Sequence, residues 1–266
     1  MSRIAQQFQR SKQRGEIALW VYLTCGDPDL ATTEALVLAA ERAGANGIEL
    51  GVPFSDPVAD GPIIQRASER ALRSGTTLEG ILSLVVRLRE KSGIPLLLFS
   101  YYNPILQRGL ERFAQEANAA GVDGVLAVDL TPEEAGAYVK TLRGEGLDTV
   151  FLAAPTSTDR RLERIAACAS GFIYVVSRTG VTGPREALSR EIPGVVARLR
   201  RASALPVAVG FGISRPEHVR ELAGLADGAV VGSAVVELIA EHERNDERIG
   251  AVEQFIWKLK AATRKD

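Results

Sequence analysis

Apolar, β-branched runs of four to six residues recur along the chain at 18–23, 47–50, 95–99, 124–128, 149–152, 172–176, 207–210 and 228–231. Runs this short and this unbroken predict parallel strands covered on both faces rather than half-exposed antiparallel ones. Between them lie stretches of helical period at 32–43, 77–91, 111–119, 132–144, 160–168, 193–202, 216–223 and 252–262. Each of the eight strands is followed by a helix, and eight such units close an α/β fold into a (β/α)8 TIM barrel. An open doubly wound sheet shares this periodicity. The absence of a Gly-x-Gly-x-x-Gly turn after the first strand counts against it.

A degenerate repeat supports the count. Ala43-Gly44-Ala45-Asn46-Gly47, Ala120-Gly121-Val122-Asp123-Gly124 and Leu225-Ala226-Asp227-Gly228 each end a helix and enter a strand, with glycine suited to the left-handed residue that closes a helix. Three features depart from a minimal barrel: a long, proline-rich connection at 51–61, a polar one at 177–189, and a short extra helix beginning at Ser233. No linker or low-complexity tract divides the chain, and 266 residues suit a single barrel domain over 1–266 with extra short helices.

Composition narrows the function classes. The chain is 46% hydrophobic and 24% charged, and no apolar run approaches the roughly 18 residues of a membrane span. Its net charge of −1 offers no general attraction to nucleic acid or anionic lipid. The opening residues lack the apolar core of a secretory signal, so a cytoplasmic location is expected. Cys25 and Cys168 are the two cysteines; neither a disulfide nor a metal site is expected. Lys258, Lys260, Arg264 and Lys265 read as a solvated helix terminus, and His218 and His242 as surface or packing residues on outer helices.

In a barrel of this kind the reacting groups stand where the strands end and the βα loops converge. That rule selects Thr24, Asp27, Glu49, Asp56, Asp60, Tyr101 to Asn103, Asp129, the 177–183 loop, and the glycines after the seventh and eighth strands. Glu49 lies in Gly-Ile-Glu-Leu-Gly, within a strand expected to be buried, where a carboxylate is costly unless it is paired or functional. It could hold a neighbouring backbone group or arginine; as an acid/base, it should have a pKa raised by the pocket. Asp60, in Ala-Asp-Gly-Pro, is equally suited to forming a turn and to facing Glu49 as a second, differently tuned carboxylate. Gly210-Phe211-Gly212 and Gly232-Ser233 form the pattern of a phosphate cradle built from backbone N–H groups and a helix N-terminus, although Ser233 could simply cap its helix. The 177–183 loop fits either an exposed connection or a lid.

The stretch 49–62, Glu-Leu-Gly-Val-Pro-Phe-Ser-Asp-Pro-Val-Ala-Asp-Gly-Pro, resembles the signature of the tryptophan synthase alpha family. The likeness spans essentially the whole chain. It includes Thr24-Cys25-Gly26-Asp27-Pro28, Ser100-Tyr101-Tyr102-Asn103-Pro104, Ala154-Pro155-Thr156-Ser157 and Ser177-Arg178-Thr179-Gly180-Val181-Thr182-Gly183. Cys25 and Val128 are small departures from the family pattern, and Asp129 is retained. The resemblance implies retro-aldol cleavage of indole-3-glycerol phosphate to indole and glyceraldehyde 3-phosphate. Glu49 would be the acid/base, and Asp60 the partner of the indole N–H. Thr182 would be the lid residue, and Gly183, Gly212, Gly232 and Ser233 would bind phosphate. Tyr22, Ile64, Tyr174, Phe211 and Leu126 would wall the indole pocket, although such residues equally fill a barrel core.

The same resemblance implies an α2β2 complex with a beta subunit that carries pyridoxal phosphate and receives the indole. Asp56, Pro57 and Asn103 would lie in loops facing that partner. A free-standing indole-3-glycerol phosphate lyase, a catalytically silent barrel serving as an allosteric partner, and a different phosphate-binding barrel isomerase remain as alternatives.

Overall fold

The computed structural model describes residues 1–176, 190–210 and 212–264. Its strands are β1 (Ala18–Thr24), β2 (Gly47–Gly51), β3 (Leu96–Ser100), β4 (Gly124–Ala127), β5 (Asp148–Thr149), β6 (Phe151–Ala153), β7 (Ile173–Val176), β8 (Val207–Gly210) and β9 (Gly228–Val231). All pairings are parallel, in the order β5-β4-β3-β2-β1-β9-β8-β7-β6. The outermost members, β5 and β6, are two halves of one stretch separated only by Val150. Val150 N donates to Val125 O on the β4 side at 3.0 Å, while Ser170 N, approaching from the β7 side, donates to Thr149 O at 2.7 Å. The sheet therefore closes on itself, and the expected fifth strand is present but changes neighbour at its midpoint.

The helices are α1 (Arg3–Gln13), α2 (Leu30–Arg42), α3 (Pro62–Arg73), α4 (Leu78–Arg89), α5 (Tyr102–Arg108), α6 (Leu110–Ala120), α7 (Gly136–Gly144), α8 (Asp159–Cys168), α9 (Ile192–Ala202), α10 (Pro216–Ala223), α11 (Ser233–Glu241) and α12 (Asn245–Ala261). The short helix at Ser233 is present as expected. Helices α1, α3 and α5 add to the expected set, and α7 starts at Gly136 rather than at 132 because residues 131–134 form a turn closed by Glu134 N to Thr131 O.

Side chains sort into two shells. On β1, Leu19, Val21 and Leu23 pack outward against the helices, while Ala18, Trp20 and Tyr22 point into the barrel with Leu97, Leu126, Phe172, Tyr174, Ala208 and Val230. Helix α1 closes the end where the strands begin. Its Phe8 lies 6.0 Å from Trp20 and 5.4 Å from Phe172, measured between ring centroids.

The repeat seen in the sequence has a second purpose at that same end. Asn46 Oδ1 accepts from Leu19 N at 2.8 Å, Asp123 Oδ2 from Leu96 N at 2.8 Å, and Asp227 Oδ2 from Val207 N at 3.0 Å. Each satisfies a buried or part-buried backbone donor where a neighbouring strand starts. Lys260 belongs to this layer rather than to a solvated terminus: its Nζ donates to Asn46 Oδ1 at 3.0 Å and to Glu16 Oε2 at 2.9 Å. Both cysteines are free. No helix among the described residues is long and apolar enough to cross a membrane.

Candidate active site

In the parallel ladder, Tyr22 of β1, Glu49 of β2 and Leu97 of β3 stand in register. Registered residues share a face, so Glu49 points with Tyr22 and Leu97 into the barrel. The inward positions of β2 therefore read Gly47, Glu49, Gly51. Both glycines are required by neighbouring rings. A Cβ at Gly47 would sit 2.6 Å from the Trp20 ring, and one at Gly51 would sit 2.2 Å from the Tyr22 hydroxyl. Glu49 is thus the one side chain that β2 extends into the barrel, between two aromatic groups.

It is 1% exposed, and neither carboxyl oxygen has a hydrogen-bond partner among the described residues. Burial pushes its pKa up to about 8. A structural glutamate of the kind considered above would hold a backbone group or an arginine; this one holds neither. A buried, unpaired acid inside a barrel is the kind of exception that calls for a functional explanation.

Asp60 comes from the long connection after β2. Its backbone does form a turn, with Asp60 N donating to Pro57 O at 3.0 Å and its own carbonyl accepting from Gln65 Nε2 at 2.9 Å. Its carboxylate has a separate task. The Tyr101 hydroxyl, at the end of β3, accepts from Ala59 N at 2.9 Å and donates to Asp60 Oδ2 at 3.0 Å. Burial raises the Asp60 pKa to about 6, opposed by that hydrogen bond. Tyr22 is held well above its ordinary range by burial and then by the charge of Asp60, with a smaller push from Glu49. Tyr174 is raised by burial and by Glu49. The two carboxyls and two tyrosines therefore share one buried electrostatic environment.

Three strands round the barrel from β2, a Cβ at Gly210 would meet the Tyr174 hydroxyl at 2.2 Å, so the end of β8 is also kept open for a ring. Gly212 follows with φ +86°, a conformation natural to glycine. After β9, the N-cap of α11 is Gly232 and no side chain caps the helix; Ser233 is its first residue, not its cap. A helix start left without a side-chain cap suits an anion. Of the remaining expected wall residues, Ile64 and Leu126 join Tyr22 and Tyr174 in the interior cluster. Phe211, Thr182 and Gly183 lie outside the described residues. Asp56 and Asn103 are exposed and Pro57 is half-buried, beside Val58, which is 85% exposed.

The sequence model of a family described as tryptophan synthase alpha chain matches residues 8–264. The chain belongs to the tryptophan synthase alpha chain family. The tryptophan synthase alpha chain of Solibacter usitatus is 52% identical over 260 residues, covering 98% of this chain and 97% of that one. Its counterpart from Citrifermentans bemidjiense is 52% identical, covering 100% and 99%. Among solved structures, a chain of Mycobacterium tuberculosis tryptophan synthase superposes with a TM-score of 0.92 at 35% identity over 100% of this chain and 99% of that one. Tryptophan synthase subunit alpha from Legionella pneumophila gives 0.88 at 35% identity over 99% and 98%.

Within this alpha chain, sequence reasoning left two groups without their proper roles. Asp27 is not part of the pocket chemistry: it is 3% exposed and pairs with Arg70 of α3 through two contacts of 2.7 Å, tying the loop after β1 to α3. Tyr101, which the strand-end rule did select, acquires its role only through contact with Asp60 across the loop. Among the described residues, no group of three or more His, Cys, Asp or Glu side chains is placed to hold a metal ion.

Proposed function

We propose that this chain cleaves indole-3-glycerol phosphate by a retro-aldol path to indole and glyceraldehyde 3-phosphate. The observation that carries the reading is Glu49, buried in the barrel with both carboxyl oxygens unpartnered among the described residues and its pKa near 8. At neutral pH such a group is an acid, able to give its proton to C3 of the indole ring. The resulting carboxylate takes the proton from the adjacent glycerol hydroxyl. The carbon–carbon bond then breaks, its electron pair returning to the ring as the aldehyde forms. Glu49 ends protonated, ready for the next turn.

Protonation at C3 makes the ring cationic at nitrogen. Asp60, oriented by the Tyr101 hydroxyl, accepts the indole N–H and stabilises that charge more in the intermediate than in the substrate, which is where binding accelerates a reaction. Tyr22, Ile64, Tyr174, Leu126 and Phe211 wall the ring; Gly183, Gly212, Gly232 and Ser233 hold the phosphate; and Thr182 closes over it.

The indole passes to a beta subunit in an α2β2 assembly, and the pyridoxal phosphate chemistry belongs to that partner. The exposed Val58 beside Asp56 and Pro57, with Leu106 half-exposed near Asn103, supports placing that partner at the barrel mouth. Incubating the full chain with indole-3-glycerol phosphate, alone and with a beta subunit, tests the reading. Indole should form, and faster with the partner. Full activity alone would make it a free-standing lyase, and no indole under either condition would remove the proposal.

A further inference from the structure

His218 is buried at 3% exposure, and nothing in the chemistry above uses it. It is the third residue of α10, whose N-cap is Arg215 and which has Pro216 in its first turn. Its Nδ1 accepts from Ser214 N at 3.3 Å, while Nε2 has no partner among the described residues. A side chain at this helix position that reaches back resembles the glutamate or glutamine of a capping box, but bonds the N–H one residue ahead of the N-cap and so restrains the chain that enters the helix. Here the entering chain is Gly212-Ile213-Ser214, the turn after β8.

We propose that His218 is a positioning residue for phosphate binding: it holds the Ser214 N–H and thereby sets the backbone of the Gly212 turn that faces the phosphate. The inference rests on the phosphate reading of Gly212, Gly232 and Ser233. Glycine at 212 supplies conformational freedom but no rigidity. Without a tether, its N–H would not stay aimed at an anion, so the cost of ordering the turn would fall on substrate binding. His218 removes that cost beforehand, and does so from a buried site that touches no substrate.

The test uses the full chain with His218→Leu, which lacks an acceptor, and His218→Asn, whose Oδ1 can occupy the place of Nδ1. KM for indole-3-glycerol phosphate and the inhibition constant of inorganic phosphate should rise roughly five- to tenfold in the leucine variant, the effect of one lost neutral hydrogen bond. Its kcat should stay within about twofold. Affinity for indole, which has no phosphate, should not change, and the asparagine variant should behave like the parent. A purely structural role would lower Tm without separating phosphate from indole affinity, and that result, or equal losses in both variants, overturns the proposal. His218→Ala is read in the same way if the leucine variant does not fold. Ser233→Asp separates the two readings: if it leaves phosphate affinity intact, the phosphate site itself is misplaced, whereas if it abolishes phosphate affinity while His218→Leu is silent, only the role of His218 fails.

Discussion

Glu49 fits the barrel interior chiefly as a neutral acid. Its folded pKa of about 8 stands above the ordinary 4.5, so below about pH 4.5 both folded and unfolded chains carry the proton and the residue costs little. Between those values the unfolded chain releases a proton that the folded chain keeps, and stability falls as pH rises; above about 8 the loss is complete. Glu49→Gln, which cannot ionise, should therefore match the parent in acid and exceed it in alkali by up to about 5 kcal/mol. Denaturant unfolding across that range checks this, and a constant difference at every pH would contradict it. The proposed mechanism requires Glu49 protonated and Asp60 ionised. The pKa values of about 8 and about 6 thus predict a bell-shaped kcat/KM between those limits. Asp60→Asn should remove the acid limb; a profile that keeps both limbs would assign the lower one elsewhere.

Individual elements explain why such a residue can be placed accurately. Strand β2 offers Gly47 and Gly51 to the rings of Trp20 and Tyr22, so Glu49 is held between aromatic groups that cannot shift without striking backbone. Gly51→Ala should cost about 1–3 kcal/mol through overpacking, and Tyr22→Leu in the same chain should recover part of that. Equal losses in both backgrounds, measured by a double-mutant cycle in urea, would show that the ring is not what the glycine accommodates. The strand run 47–50 and the odd carboxylate within it were legible in the sequence, because a buried strand departs from apolar character only for a reason. The reason for the flanking glycines was not, since it depends on Tyr22 in a neighbouring strand. Helix α3 escaped notice because its buried positions are mostly small, Ala67, Ser68 and Ala71 beside Ile64, and α5 because Pro104 falls inside a seven-residue helix. The repeat around Asn46, Asp123 and Asp227 was read through its glycines, whereas its polar residues pin strand starts, a contact that joins segments far apart in the chain.

At the scale of the whole molecule, the barrel divides its labour between two ends. Where the strands begin, α1 and the Asn46, Asp123 and Asp227 layer seal the interior with packing and paired charge. Where they end, Glu49, Asp60, Gly212 and Gly232 converge, and the loops around Val58 leave apolar surface exposed. An exposed valine contributes little to the stability of its own chain. Val58→Asp should thus leave Tm of the isolated chain unchanged while reducing the acceleration of indole formation proposed for a beta subunit. An undiminished acceleration would place the partner on another face. The strand count followed from periodicity, and the closed barrel from that count together with the missing Gly-x-Gly-x-x-Gly turn; the mouth as the expected active end followed from the architecture of such barrels. The pairing of Asp60 with Tyr101 and of Asp27 with Arg70 did not, because carboxylates in loops look alike until their neighbours are known.

The proposed chemistry depends most directly on one carboxyl group. Indole formation from indole-3-glycerol phosphate by Glu49→Gln, measured beside the affinity of the same variant for that substrate, isolates it. Turnover should fall by at least about a hundredfold, the lower bound for loss of a general acid/base, with affinity largely retained. Undiminished turnover in the folded variant would show that Glu49 is not the group that moves the proton.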